Sequence, residues 1–259
     1  MSTTSIYLGI LTSSTTYRTS RTLRPLDLNS YPLPLISKLI HRISGKTWFT
    51  KFDVCWGYNN VRIKDSDEWK AAFKTSDRLF EPTVMFFRLT NSPATFQTMM
   101  DDKLKEEIGK GTTSVYMNDI VIHTDGMLEE HQEIVEQHLA KLSKLGLFLK
   151  PEKCHFHQQE VKYLGMIISN GQVKMDPVKI KGIMDWPTPQ NLKELCSFLG
   201  FLNFYRSFIK YFSKRAWPLN NLTCKGRPFV WSQECDNAFV DLKSACGSEP
   251  VLKTPDWNK

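Results

Sequence analysis

The alternation of apolar and polar positions predicts a strand and a hairpin in the first half of the chain. Residues 48–54 alternate in this way and carry Asp53 near their end, which is typical of a half-buried strand. Residues 114–122 are rich in β-forming side chains on both sides of Asn118 and Asp119. This pattern predicts a hairpin whose tip holds these two residues.

Apolar residues at helical spacing predict two helices in the middle of the chain, followed by a second hairpin. One helix begins at Ser92-Pro93, because a capping residue precedes proline at the first helical position. Another occupies residues 128–145, where apolar side chains repeat with a helical period. Residues 161–169 and 172–175 predict two strands, since they flank Asn170-Gly171, a strong hairpin signal.

The last third of the chain has a helical character. Asp176-Pro177 and Thr188-Pro189 each join an N-cap residue to a proline, and each pair predicts a helix start. A further helix is expected to begin near Ser232. The sequence therefore predicts an α+β protein with a mixed region at residues 31–173 and a helical region at residues 174–259.

Residues 1–30 differ from the remainder in composition. They contain thirteen serine or threonine residues and few charged ones. We expect a divergent, poorly ordered terminus, because such a segment has little apolar surface to bury. A Ser-rich, acid-poor start with arginines also resembles a transit peptide, and this alternative stays open.

Composition narrows the class of protein further. The chain of 259 residues carries a net charge of +7 at pH 7, which favours a polyanionic partner such as nucleic acid. No apolar run approaches the ~18 residues that a membrane span requires, which excludes an integral membrane protein. The six cysteines form no CxxC pair, so a disulfide framework is not expected and a reducing compartment is.

Asp53 and Asp119 are the first candidates for chemistry. Each follows or interrupts apolar, β-prone sequence, and a carboxylate in such surroundings needs a cation. Two acids that meet at one edge of a sheet would suit Mg²⁺, which takes carboxylates together with substrate phosphates. Ordinary turn positions would explain the same two residues without any metal.

Other polar clusters give weaker signals. Cys154, His155 and His157 lie close together, but no fourth ligand has the spacing of a zinc site. His131 and His138 share one helical face and are expected at the surface or in packing. Residues 198–212 are aromatic with interleaved basic residues, a pattern that fits either nucleic-acid contact or a helix core.

At this point the motifs resemble a known family, the reverse transcriptases of gypsy-type long-terminal-repeat retrotransposons. The resemblance runs from Tyr31 to Lys259, and several independent motifs occur in the family's order. The motifs are Tyr31-Pro32-Leu33-Pro34, Phe52-Asp53-Val54 with Gly57-Tyr58, the LTNxPATFQ-like Leu89–Gln97, Tyr116-Met117-Asn118-Asp119, Lys150–Cys154, Tyr163-Leu164-Gly165, Trp186-Pro187-Thr188-Pro189 and Phe198-Leu199-Gly200.

The resemblance implies a right-hand polymerase with fingers, a palm with an antiparallel sheet and a helical thumb. It implies a polymerase and thumb region that ends before a ribonuclease H domain, in an intracellular product of the cytoplasm or nucleus. The catalytic positions are then Asp53, Asn118 and Asp119, with Asp53 and Asp119 as ligands of Mg²⁺, or of Mn²⁺. The implied partners are an RNA template, a DNA primer and deoxynucleoside triphosphates, without a membrane.

Further roles follow from the same resemblance, position by position. The resemblance implies that the nucleotide is bound by Tyr58, Phe87, Arg88 and Lys153. The primer grip corresponds to Tyr163, Leu164 and Gly165. Contacts with template and primer are expected from Asn91, Pro93, Gln97, Lys193, Arg206 and Lys210.

The sequence departs from the family pattern at two positions of the implied site. Asn118 replaces the first aspartate of the hairpin, so three metal-facing carboxylates become two. Arg88 replaces a glycine that lets the backbone approach the nucleotide. These departures leave two hypotheses, an RNA-directed DNA polymerase domain of a retrotransposon polyprotein and a catalytically inactive nucleic-acid-binding relic.

Overall fold

The structure is a computed structural model that describes residues 31–248 and 251–253. The α-helices of this part are α1 (Ile36–Ile43), α2 (Ser92–Lys103), α3 (Lys105–Gly109), α4 (Leu128–Lys144), α5 (Pro177–Met184), α6 (Leu192–Phe204), α7 (Phe212–Arg215), α8 (Trp217–Leu222) and α9 (Gln233–Ser248). Its strands are β1 (Trp48–Asp53), β2 (Phe73–Lys74), β3 (Leu79–Phe80), β4 (Thr113–Tyr116), β5 (Asp119–Thr124), β6 (His155–Gln158), β7 (Glu160–Tyr163), β8 (Met166–Ser169), β9 (Gln172–Met175) and β10 (Val251–Lys253). The α+β class is confirmed, whereas the expectations for residues 1–30 lie outside the described residues.

The first sheet contains the predicted strand and the predicted hairpin, but the tip of the hairpin is Met117-Asn118, and Asp119 is already the first residue of β5. Its strands are antiparallel, in the order β4-β5-β1-β6. The chain reverses between β4 and β5 at Met117, whose φ of 52° lies in the left-handed region that tight hairpin turns require. Side chains of the sheet pack with those of α2 and α4 in one buried apolar cluster. Its members include Phe52, Phe96, Met100, Ile120, Ile122, Val135 and Leu142.

The second sheet corrects one sequence expectation. Its order is β10-β9-β8-β7, and the turn at Asn170-Gly171 joins β8 to β9 as predicted. Residues 161–169 form two strands rather than one, because the chain reverses at Leu164 and Gly165, with φ values of 50° and 77°. A leucine rarely adopts such an angle, so of the two turn residues only Gly165 is of a type that indicates a turn in the sequence.

The helical region begins as predicted at Asp176, whose side chain accepts the amide N–H of Val178 at 3.1 Å. The next helix starts at Leu192 and not at Thr188-Pro189. Asn191 caps it by accepting the amide N–H of Glu194 at 3.0 Å. The carboxylate of Glu194 accepts the N–H of Gln190 at 2.8 Å, and this reciprocal arrangement satisfies more of the free amides than Thr188 would.

One apolar cluster crosses the boundary expected at residue 174. It joins residues of the first sheet, such as Phe49 and Val121, to residues of α6, such as Leu195 and Phe198. The aromatic stretch 198–212 contributes much of this core, since its largest inward-facing rings are buried. Among the described residues, no helix is long and apolar enough to cross a membrane.

Candidate active site

Asp53 and Asp119 face each other across the two central strands of the first sheet. They are direct partners in the antiparallel register of β1 and β5, so both side chains leave the sheet on the same face. The backbone around them is fixed at two points. The amide of Val54 donates to the carbonyl of Asn118 at 2.9 Å, and the amide of Lys150 donates to the carbonyl of Asp53 at 2.9 Å.

Asn118 adds an amide oxygen beside this pair. Its Oδ1 is buried without a hydrogen-bond partner among the described residues, and the same holds for Oδ1 of Asp53. Gly57 leaves room for the amide, since a Cβ there would lie 2.4 Å from the Asn118 Oδ1 atom. Orphaned buried oxygens are unfavourable, and Mg²⁺ prefers oxygen ligands of this kind. The donor set of Asp53, Asn118 and Asp119 therefore fits a divalent metal.

Three lysine ammonium groups surround the two carboxylates. Lys51 Nζ lies 3.1 Å from Oδ1 of Asp119. Lys150 Nζ and Lys153 Nζ each lie 3.8 Å from an oxygen of Asp53. Because the nearest acids number two, the cluster carries one excess positive charge, which suits a polyphosphate ligand. Sequence reasoning named Lys153 but missed Lys51, although its position two residues before Asp53 places it on the same strand face.

Gln97 of α2 holds the hairpin in place from behind. Its Oε1 accepts the amide N–H of Met117 at 2.7 Å. Its Nε2 donates to the carbonyl of Val115 at 3.3 Å and to Oδ1 of Asp101 at 2.9 Å. Gln97 is fully buried, and its side chain positions the backbone of the strand and the turn. Its expected contact with template or primer stays a prediction.

Comparison with known proteins decides the family. The family model described as "Reverse transcriptase (RNA-dependent DNA polymerase)" matches residues 11–168, which is more than half of the chain. The chain belongs to the reverse transcriptase family. Transposon Tf2-3 and Tf2-7 polyproteins of Schizosaccharomyces pombe are 37% and 36% identical to it over 231 residues, and this alignment covers 89% of the chain. The chain spans only 17% of the length of these relatives.

Solved structures agree with the family. The foamy viral protease-reverse transcriptase in complex with an RNA/DNA hybrid superimposes with a TM-score of 0.75 at 26% identity, over 85% of this chain and 30% of that one. The same viral protein in complex with double-stranded DNA gives a TM-score of 0.74 at 28% identity, over 86% of this chain and 48% of that one. The right-hand polymerase fold and the resemblance to retrotransposon reverse transcriptases are confirmed.

In this reverse transcriptase domain, the hydroxyl of Tyr58 donates to the sulfur of Met117 at 3.7 Å, in the turn that precedes Asp119. The Tyr58 ring packs between Phe87 and Phe96, at centroid distances of 5.4 and 5.6 Å. Burial, with a smaller contribution from Tyr116, raises the pKa of the Tyr58 hydroxyl. Phe87 is 76% exposed. Arg88 is also exposed and has a φ of 75°, a backbone conformation that favours the glycine found in the family.

The expected primer-grip residues of the reverse transcriptase domain occupy the turn between β7 and β8. Tyr163 is fully buried, and burial together with Asp119 raises the pKa of its hydroxyl. Leu164 and Gly165 form the turn itself, where the hydroxyl of Tyr205 donates to the carbonyl of Gly165 at 3.3 Å. The side chain of Tyr163 therefore supports the turn from inside, while its two neighbours are the residues nearer to solvent.

The expected template and primer residues lie on separate elements. Asn91 and Pro93 are half-buried at the start of α2. Lys193, Arg206 and Lys210 are exposed on and after α6. Arg206 lies 5.9 Å from the ring centre of Phe212, and Lys210 lies 5.4 Å from that of Tyr211.

The remaining histidine and cysteine candidates have structural positions. Within residues 31–248 and 251–253, no three His, Cys, Asp or Glu side chains form a group that could hold a metal, so the zinc hypothesis finds no support there. His131 is buried and hydrogen-bonds to the hydroxyls of Thr50 and Thr124, both at 2.8 Å. His138 is buried and bonds to Thr113 at 2.7 Å. Of the two roles expected for these histidines, packing is confirmed.

Proposed function

We propose that this chain is the polymerase domain of a retrotransposon RNA-directed DNA polymerase. In this role it adds deoxynucleotides to the 3′-hydroxyl of a DNA primer along an RNA template. The observation that carries the proposal is the direct cross-strand pairing of Asp53 with Asp119, in which the buried Oδ1 atoms of Asp53 and of the adjacent Asn118 have no hydrogen-bond donor among the described residues. Membership of the reverse transcriptase family supports it.

Asp53, Asp119 and the amide of Asn118 would hold Mg²⁺ or Mn²⁺. When bound, such an ion activates the attacking hydroxyl and offsets charge on the triphosphate. The chain's part is to fix the acids, and the register of β1 and β5 does so without dependence on a flexible loop. Nucleotidyl transfer depends mainly on positioning and charge stabilisation, which a rigid sheet supplies.

Tyr58, Phe87, Arg88 and Lys153 would form the nucleotide pocket. The Tyr58 ring is held by Phe96 on its buried side, and we propose that it lies beneath the incoming sugar. The Lys153 side chain is 57% exposed beside Asp53, so its ammonium can pair with a phosphate without a large desolvation penalty. The side chain of Arg88 lies at the rim of this pocket and restricts it.

Template and primer would lie along the surface that joins α2, the β7–β8 turn and α6. Asn91 and Pro93 would contact the template strand, and Leu164 and Gly165 would contact the primer, supported by Tyr163. Lys193, Arg206 and Lys210 would contact phosphates. The solved relatives hold an RNA/DNA hybrid and double-stranded DNA, which supports a duplex ligand.

A second candidate function rests on Asn118. An amide carries no charge against a divalent ion, and the loss of one electrostatic catalytic group typically reduces the rate by ~10²–10³. A protein that binds the duplex but does not extend the primer would retain the same fold and the same basic surface. The two candidates differ only in turnover.

Primer extension on an RNA template separates them. The full chain is incubated with a labelled DNA primer, an RNA template, the four deoxynucleoside triphosphates and Mg²⁺ or Mn²⁺, and Asp53→Asn is the control. The proposed function predicts slow, template-dependent extension that the control lacks. If neither the chain nor its Asn118→Asp variant extends a primer that both bind, the chain is a nucleic-acid-binding protein without polymerase activity.

A further inference from the structure

Lys51 and Asp119 form a half-buried ion pair at the acid site. Lys51 lies opposite Val121 in the register of β1 and β5, which makes Asp119 its diagonal neighbour on the same face. Its Nζ is 3.1 Å from Oδ1 of Asp119. The two side chains are only 18% and 27% exposed, so water screens their attraction less than at an open surface.

The other acid is held differently. Lys150 and Lys153 approach Asp53 only to 3.8 Å, and Oδ1 of Asp53 has no hydrogen-bond partner among the described residues. Asp53 is therefore ready to accept a cation, whereas one oxygen of Asp119 is already occupied by an ammonium group. The two acids of one site are not equivalent.

We propose that Lys51 is a built-in counter-ion of Asp119 that competes with the divalent metal and sets its affinity. The inference rests on the proposed function, since it assigns a regulator of metal binding to the same site. A divalent ion at Asp119 must displace the Lys51 ammonium or tolerate it at close range. Because Asn118 contributes no charge, only two carboxylates face the three ammonium groups. The electrostatic repulsion between Lys51 and the metal ion is therefore less compensated than it would be beside a third acid.

The test is a titration of the full chain with Mn²⁺, in which electron paramagnetic resonance measures the concentration of the free ion. Lys51→Met removes the charge and keeps the length of the side chain, and Lys51→Arg keeps the charge. Lys141→Met is the matched control, because Lys141 forms a similarly half-buried pair with Glu107 at 2.7 Å, on α4. Each variant is also made in an Asp119→Asn background.

Lys51→Met is expected to bind Mn²⁺ at least about tenfold more tightly, as the removal of a neighbouring unit charge requires even with water-like screening. Lys51→Arg and Lys141→Met should stay within about twofold of the unmodified chain, and the gain should be smaller in the Asp119→Asn background, where Lys51 has no carboxylate oxygen of residue 119 to occupy. An unchanged affinity in Lys51→Met, or a gain that is equally large without Asp119, overturns the proposal.

A second measurement covers the case in which Lys51→Met does not fold. In the unmodified chain, the Cε–Hε resonance of Lys51, assigned with Lys51→Arg, should shift on titration with Mg²⁺ and saturate with the metal. A resonance that stays fixed while Mg²⁺ binds contradicts the proposal. Primer extension by the same preparations tests the proposed function separately. A chain can extend primers although Lys51 has no effect on metal affinity, and a chain that does not extend primers can still show the effect of Lys51 on metal affinity.

Discussion

The side-chain oxygen of Gln97 accepts the backbone N–H of Met117 at 2.7 Å, which ties helix α2 to the turn that presents Asn118 and Asp119. Met117 has a φ of 52°, so this residue is held in an unfavourable backbone conformation at the most critical turn of the site. The hydrogen bond that Met117 donates to Gln97 compensates for part of that strain. The position of Asp119 thus depends in part on a buried amide on another element, the side chain of Gln97.

Replacement of Gln97 by leucine should destabilise the protein and loosen the site. The change removes three hydrogen bonds and leaves the buried N–H of Met117 without an acceptor, which costs about 1–3 kcal/mol. Urea denaturation measures the loss. Gln137→Leu, at an exposed position of α4, should change the free energy of unfolding by less than about 0.5 kcal/mol. Equal effects of the two changes would show that the Gln97 network contributes nothing specific.

Asn118→Asp should increase primer extension. It restores a carboxylate beside Asp53 and Asp119, and one electrostatic catalytic group is typically worth ~10²–10³ in rate. We expect a gain below that range, because the proposed restriction of the nucleotide pocket by Arg88 remains. Single-turnover extension at saturating Mg²⁺ is the measurement, and Asn237→Asp on α9, exposed, adds the same charge elsewhere. A rate unchanged by Asn118→Asp would mean that residue 118 does not limit the reaction.

The sequence predicted the acid site because its strands obey local rules. The alternation around Asp53 and the β-prone runs around Asp119 are short-range signals. The two-residue turn fixes only the register of β4 with β5, whereas the register that pairs Asp53 with Asp119 joins β1 to β5 over a long stretch of sequence. The turn at Leu164 was missed because a leucine at positive φ gives no compositional signal. The helix cap at Asn191 was missed because Thr188-Pro189 offers an equally good local pattern, and only the contacts of Glu194 decide between them.

Long-range side-chain contacts were beyond local patterns altogether. Gln97 reaches Met117, and Lys51 reaches Asp119, only because the sheet and α2 assemble in one register. From the sequence alone, Gln97 is expected to contact template or primer because the motif Leu89–Gln97 resembles one of the reverse transcriptase family, and nothing in the motif predicts that Gln97 is buried. The burial of Gln97 depends on the packing of α2 against β4, and the periodicity of apolar residues along the chain does not predict it.

Arg88→Gly should favour both the fold and nucleotide binding. An L-residue at a φ of 75° is strained by roughly 1–2 kcal/mol, although glycine loses about 0.5–1 kcal/mol through unfolded-state entropy. The net change in unfolding free energy is thus small and stabilising, and the KM for nucleotide should fall. Arg78→Gly, exposed and without a positive φ, should destabilise instead.

Arg88→Gly and Asn118→Asp should also combine non-additively. Both act on one complex of metal, nucleotide and primer, and residues of a shared complex couple by about 0.5–3 kcal/mol. The four chains of the double-mutant cycle are compared by kcat/KM for a single nucleotide addition. Strict additivity would place Arg88 outside the nucleotide pocket.

The exposed cations near α6 should control the salt dependence of duplex binding. If Lys193, Arg206 and Lys210 contact phosphates, each alanine substitution should reduce the slope of log Kd against log salt by about 1. Fluorescence anisotropy with a labelled RNA/DNA duplex gives the slope. Lys144→Ala, exposed near the end of α4, is the control. A slope that does not change in any of the three variants would remove α6 from the interface.

The buried histidines should make the fold acid-sensitive between about pH 6.5 and pH 4. Burial lowers the pKa of His131 to about 4, with smaller contributions from His157 and His138, and burial lowers the pKa of His123 to about 4 as well. The unfolded chain therefore binds more protons than the native one in this window, and stability rises with pH there. The contribution of the neutral histidines to the free energy of unfolding is fully present above pH 6.5. It decreases as pH approaches 4, by roughly 3 kcal/mol for each histidine at the full shift.

Replacement of His131 should remove part of this dependence. His131→Gln retains a polar group between Thr50 and Thr124 but cannot be protonated, so the free energy of unfolding should fall less steeply from pH 6.5 to pH 4. His155→Gln, at an exposed position of β6, should leave the slope unchanged. Urea denaturation at several pH values supplies the slopes. If the plots of unfolding free energy against pH are parallel for the unmodified chain and His131→Gln, protonation of His131 does not contribute to the acid sensitivity. The sensitivity would then belong to other groups.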